Sequence, residues 1–421
     1  MRVGAHTEGS GETFPSKTMP ATPLRRLAVA TIAAGGLAAA AYFLRRRLRR
    51  GADPRATRES LRALLAKNRA PVPTPSPRSR PASWMEGSSV WEDGELLYES
   101  LSIEVEAGER CTLLLCRSSA FDRRKLHPCL VLHGTGGSAH REERRIRKLA
   151  ALGVLAVGVD LRHHGERVAD GTDPNPYWRA LKAAWRRPAA VEGAELSHHT
   201  AAAAAAHLYP FLYDSVYDCS RVLDYLETRA DADCSRVGAF GNSLGGMIIP
   251  LLAAADARLT ACAPCIGVQG FAYALDHECW HARVGSLQPL FDAVADDRSA
   301  PLDGAAVRAA WEKLVPGLLD AYDAPRSLAA ACLDADVLVV NSAADPRCPR
   351  PGVEAAVDAA RAALRGWGCD ERRLSLHWDE SVAAAPLPAA EWKAGHVITD
   401  AMFEQVERFL SDRLTEPAPD P

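Results

Sequence analysis

Short runs of five to seven mostly apolar residues recur from residue 99 onward, and several of them end at Gly, Asn, Asp or Pro. Runs of that length between turn residues read as strands. They predict strands near 99–105, 111–117, 128–132, 154–159, 235–240, 259–263, 336–341 and 372–378. Between them, apolar positions spaced three and four apart predict helices near 140–152, 214–229, 243–255, 353–365 and 399–413. The last is marked by Met402, Phe403, Val406, Phe409 and Leu410. Apolar strands alternating with helices imply the α/β class, a mostly parallel sheet with helices on both faces. Two segments break the alternation. Residues 166–210 carry Tyr177, Trp178, Trp185 and an alanine run. Residues 268–332 carry Phe271, Trp280, Phe291, Trp311 and Tyr322 between two core strands, which predicts an inserted helical lid whose aromatics pack its own core.

Chemistry enters at Gly241-Asn242-Ser243-Leu244-Gly245-Gly246. The run 235–240 leads into it and the apolar helix pattern from Met247 leads out of it. Strand, G-x-S-x-G, helix is the nucleophile elbow. Side chains at Gly241 and Gly245 would collide with neighbouring backbone, and the turn forces strained dihedrals on Ser243. Its hydroxyl then stands above the sheet beside the N-terminus of a helix.

Three further pieces follow in a consistent chain order. The strand 128–132 runs into His133-Gly134-Thr135-Gly136-Gly137, a loop that can offer bare backbone N–H groups to an oxyanion. The two donors expected are the N–H of Leu244 and that of Thr135, with Gly136 as the alternative. The strand 336–341 is followed by Asp345, where the acid of a triad belongs; Asp336 precedes the strand, and Asp370 and Asp379 are weaker candidates. Gly395-His396 opens the terminal helix and supplies the base. His377 is its rival, but it lies within a predicted strand. Serine is a poor nucleophile until a base takes its proton, and imidazole titrates near neutrality. Such chemistry needs no metal and no organic cofactor.

The elbow and the order Ser243, Asp345, His396 resemble those of the α/β-hydrolase superfamily, most closely its dienelactone-hydrolase and prolyl-oligopeptidase-like branch. The segment 158–167 is similar to a D-x-R-G-H-G pattern of that branch, with His163 standing where glycine is usual. The stretches 266–271 and 345–349 look like those of plant and algal α/β-hydrolase-like proteins. The resemblance covers roughly residues 95–413 and implies an α/β-hydrolase fold with an inserted lid near 268–332. It implies a serine hydrolase acting on an acyl ester, carboxylesterase- or lipase-like, through an acyl-enzyme. A serine peptidase on short peptides and a non-catalytic binding protein of the same fold are the alternatives. Neither the neighbouring His163 and His164 nor the lone Cys262-x-x-Cys265 has a partner at metal-ligand spacing, and both read as structural.

Charge and composition settle the rest of the expectations. A net charge of −3 gives no reason to expect a nucleic-acid partner. Residues 1–26 read as disordered. Residues 27–44 hold no charge between flanking arginines and predict a single membrane-spanning anchor or a targeting segment. Arginines at 45, 46, 47, 49 and 50 predict a catalytic domain on the cytosolic, stromal or matrix side; an organelle-targeted soluble enzyme is the alternative. Residues 45–94, rich in Pro, Arg and Ser, read as a basic linker, and 414–421 as a disordered tail. Eleven cysteines show no disulfide framework. The partner expected is a small-molecule or lipid ester; the oligomeric state is not encoded in any pattern.

Overall fold

The computed structural model describes residues 51–67, 69, 73–79, 89–121, 124–167, 175–187, 209–382 and 395–415. Their strands are β1 (Pro77–Ser79), β2 (Val90–Asp93), β3 (Leu96–Glu106), β4 (Glu109–Ser118), β5 (Pro128–Leu132), β6 (Leu155–Val159), β7 (Val237–Asn242), β8 (Leu259–Cys265), β9 (Asp336–Ser342) and β10 (Leu374–Asp379). They form one sheet in the order β1-β3-β4-β6-β5-β7-β8-β9-β10, with β2 also paired on β3. Along β6-β5-β7-β8-β9-β10 every pair is parallel, while the pairs β1–β3, β2–β3, β3–β4 and β4–β6 are antiparallel. This is the α/β class that the apolar runs predict.

Alternation along the central strands divides the core in two. Leu130 and Leu132 of β5 pack into one cluster, Cys129 and Val131 into the other. Helices Glu143–Ala151 and Asp400–Leu414 cover the second face through Ile146, Leu149, Met402, Phe403 and Val406. Helices Tyr213–Leu226, Leu244–Ala255, Ala324–Ala331 and Arg350–Trp367 cover the first. Both faces of β5 and β6 are therefore dry, which is why these strands read as unbroken apolar runs. Cys262 and Cys265, three apart on β8, fall into opposite clusters, so the C-x-x-C pattern is two separate buried thiols. Between β8 and β9 lie helices Phe271–Asp276, His281–Gly285, Gln288–Arg298 and Gly304–Leu314 before the crossover helix Ala324–Ala331. The ring of Trp311 meets those of Phe271, Phe291 and Phe211, so these aromatics pack among themselves.

Two expectations are corrected. Part of the expected linker is packed structure: Pro54–Ala66 is a helix, and Pro77–Ser79 and Val90–Asp93 are sheet. Asp53 caps that helix at the N–H of Arg55, Pro54 occupies its first turn, and Thr57, Leu61 and Leu65 bury one face at i, i+4 and i+8. Arg58 donates to the carbonyls of Ala254 and Ala330, each at 2.9 Å, near the C-terminal ends of two helices, where a cation is favoured. The charge of this segment thus serves packing rather than solvation. The membrane anchor and the single-pass localisation are the second correction. Among the described residues no helix is long and apolar enough to cross a membrane. Residues 27–44 lie outside them. Eight of those eighteen positions are alanine and two are glycine, side chains that contribute little to partition into hydrocarbon. The terminal segments 1–26 and 416–421 also lie outside the described residues.

Candidate active site

Parallel strands leave their C-terminal ends on one edge, and the chain turns from β6 back across β5 to β7. That reversal opens a crevice beyond the ends of β5 and β7. The loop after β5 and the turn after β7 meet there.

Ser243 has φ 51° and ψ −106°, a strained conformation for a residue with a side chain. The turn is held by Ser243 N–H donating to Cys265 O at 2.9 Å and Gly245 N–H to His133 O at 3.1 Å. A Cβ on Gly241 would stand 2.6 Å from Gly245 C, and one on Gly245 would stand 2.4 Å from Leu132 O. Both glycines are required by closeness, not by dihedral freedom.

His396 reaches this serine from the other end of the chain. Its Nε2 lies 2.9 Å from Ser243 Oγ, and its Nδ1 lies 2.8 Å from Asp345 Oδ2. A carboxylate only accepts, so Nδ1 carries the proton and Nε2 is free to accept from the hydroxyl. Asp345 is buried, and its Oδ1 accepts from the N–H groups of Arg347 at 2.8 Å and Cys348 at 3.3 Å. Both oxygens are therefore occupied and the carboxylate is fixed.

The expected rivals lie elsewhere. His377 sits within β10 opposite Val340. Asp336 is at the start of β9, paired with Arg413 at 2.8 Å. Asp370 binds Arg372, and Asp379 accepts from Thr399 and the N–H of Ser381.

Of the donors expected for an oxyanion, Thr135 lines the cleft beside Ser243, and Leu244 directly follows Ser243. Leu244 is the first residue of its helix, so its N–H has no intrahelical acceptor. Gly134 and Thr135 line a cavity of about 290 Å³ with Ser243, Asn242, His396, Ile266 and Arg347. Gly136 has φ +73°, and its carbonyl accepts from Arg141. His133 shapes the loop from behind. Its Nε2 accepts from Leu161 N–H at 3.1 Å and its Nδ1 donates to Gly134 O at 2.7 Å. Burial, reinforced by the neighbouring His164, pushes its pKa down to about 3, so the ring is neutral. His163 takes φ +63°, the left-handed conformation natural to the glycine of the pattern that it departs from. His164 is buried against Tyr177, with its Nδ1 2.9 Å from Arg162 O.

Three supporting residues escaped the sequence reading. Gly395 has φ +81°, and a Cβ there would stand 2.2 Å from Ala344 O; glycine is what lets the histidine loop lie on the acid loop. Glu142 accepts from Asn242 Nδ2 at 2.6 Å and steadies the residue before the serine. Arg347 lines the cleft. The Gly-His dipeptide signals the first; nothing local signals the other two.

No protein-family model and no curated protein matches this chain. Solved structures do. Acetyl xylan esterase 1 from Thermoanaerobacterium sp. JW/SL YS485 superposes with a TM-score of 0.55 at 16% identity, over 88% of this chain and 98% of that one. This is the α/β-hydrolase fold. The glucuronoyl esterase from Solibacter usitatus gives a TM-score of 0.52 at 16% identity, over 85% of this α/β-hydrolase-fold chain and 91% of the other. A methylesterase, BT1017, gives 0.53 at 16% identity over 88% and 68%. At such identities the likeness establishes the fold; the chemistry rests on the site.

Proposed function

We propose that the chain is a serine hydrolase that cleaves acyl esters through an acyl-enzyme, with Ser243 as nucleophile, His396 as general base and acid, and Asp345 as the residue that orients the imidazole. The hydrogen-bonded chain from Ser243 Oγ through both nitrogens of His396 to Asp345 Oδ2, at 2.9 and 2.8 Å, carries this reading.

In the first half-reaction the Ser243 proton passes to His396 Nε2 as Oγ attacks the ester carbonyl. The N–H groups of Leu244 and Thr135 donate hydrogen bonds to the carbonyl oxygen as negative charge develops on it. His396 then protonates the leaving alcohol, and the acyl group stays on Oγ. Water enters, gives its proton to Nε2 as its oxygen attacks the acyl carbon, and His396 returns that proton to Ser243 Oγ as the Oγ–acyl bond breaks and the acid leaves. Asp345 stays ionised and stabilises the imidazolium. The three structural neighbours described bear esterase names, among them one named for acetyl xylan, and the cavity of about 290 Å³ suits a short acyl group. We therefore favour small acyl esters over long-chain lipids.

The test is steady-state hydrolysis of 4-nitrophenyl acetate beside a matched anilide. The ester should turn over and the anilide should not. His396→Ala and Asp345→Asn should each lower kcat by about 10³–10⁵-fold. Equal turnover of the anilide would favour a peptidase, and an inert protein would favour a binding role.

A further inference from the structure

Two arginines, Arg145 and Arg347, are among the residues that line the cleft, and among the described residues no Asp or Glu is. Arg145 is balanced: it pairs with Glu142 at 2.6 Å. Arg347 is not. Its main chain is fully used, the N–H on Asp345 Oδ1 at 2.8 Å and the carbonyl taken by Arg283 at 3.1 Å. Its guanidinium makes no hydrogen bond and no ion pair among the described residues, and its Nε is buried without an acceptor.

A second cation stands behind it. Arg283, buried in the helix His281–Gly285, donates to Gln269 Oε1 at 3.2 and 3.1 Å and lies 3.4 Å from Cys348 Sγ, with its guanidinium over the ring of Phe271. None of these partners is a carboxylate. The nearby acid, Asp345, is engaged by His396 and two main-chain N–H groups. Burial and the charge of Arg283 hold the Arg347 guanidinium below its usual range, partly offset by Asp345. A desolvated cation without an acceptor is costly, and a planar guanidinium matches a carboxylate with two parallel N–H donors.

From the unpaired Arg347 beside Ser243 we infer that the preferred substrate is an ester that also carries a free carboxylate, held by the Arg347 guanidinium. This rests on the ester-hydrolase reading above. Arg347 is a binding residue here: it fixes the substrate's second charge while Ser243 attacks the ester carbonyl. The carboxylate belongs to the acyl part, as in a dicarboxylic half-ester, or to the alcohol part, as in an acylated hydroxy acid. Both put the same group in the cleft.

The experiment compares kcat/KM for four esters in two pairs of matched length: a mono-aryl succinate against its uncharged aryl butyrate analogue, and an O-acetyl hydroxy acid against its methyl ester. The wild-type protein should prefer one carboxylate ester over its neutral partner by about 10–100-fold, the worth of a charge-assisted hydrogen bond. Whichever pair shows the preference identifies the side that bears the carboxylate. Arg347→Gln should collapse that ratio toward one through KM, Arg347→Lys should keep part of it, and added free succinate or acetate should slow fluorophosphonate capture of Ser243 in the wild type but not in Arg347→Gln. Hydrolysis of the neutral esters with no preference in either pair, or a ratio unmoved by Arg347→Gln, overturns the inference and leaves the ester-hydrolase reading standing. Failure to hydrolyse any of the esters overturns both.

Discussion

Gly395 lies against the carbonyl of Ala344, so closely that a Cβ on it would stand 2.2 Å from that oxygen. This contact sets the histidine loop on the acid loop and so sets the distance between His396 and Asp345. Gly395→Ala should force the two loops apart, with the added strain of a side chain at φ +81°. A displacement of about 1 Å at a reacting pair costs on the order of 10²-fold in rate. We expect kcat on 4-nitrophenyl acetate to fall by about that factor while circular dichroism is unchanged. A kcat within threefold of wild type would show that the contact does not set the geometry.

The helix Pro54–Ala66 should be part of the cooperative fold. Leu61 is fully buried in it, and Arg58 ties it to two other helices. Leu61→Ala should cost about 2–5 kcal/mol in denaturant unfolding, in a single transition. A change below 0.5 kcal/mol, roughly the range of ordinary surface substitutions, would return this segment to the status of a linker.

Acid should destabilise the protein through His164. Burial holds its pKa down to about 4, against an ordinary value of about 6.5. The unfolded chain therefore takes up the proton first as pH falls. The stability that follows from a neutral His164 is complete above about pH 6.5 and drains away down to about pH 4. Across that window the wild type should lose up to about 1.4 kcal/mol per pH unit more than His164→Gln. Parallel stability curves for the two proteins would contradict this.

Strands β4 to β9 were legible because each is a local event, a mostly buried apolar run closed by turn residues, while β3 and β10 show as apolar residues alternating with polar ones. Ser243, Asp345 and His396 were legible because each stands just past a predicted strand or just before a predicted helix, and these three are the residues that the fold brings within hydrogen-bonding distance. The strands β1 and β2 were not legible. They are short and polar, and they exist only because the long β3 offers an edge to both. Helix Pro54–Ala66 was hidden by the Pro- and Arg-rich sequence around it, although its cap and its i, i+4 spacing are present in the letters. The unpaired state of Arg347 depends on what surrounds it in space, on Arg283 from a different helix above all, and no spacing rule encodes that.

The central claim is that Ser243 is the nucleophile, and covalent capture tests it most directly. The full-length protein is treated with a fluorophosphonate, digested, and mapped by mass spectrometry. We expect a single adduct on the peptide that contains Gly241-Asn242-Ser243-Leu244-Gly245, absent from Ser243→Ala and strongly slowed in His396→Ala. An adduct on a different serine that persists in Ser243→Ala, or ester hydrolysis that survives in Ser243→Ala, would contradict the account.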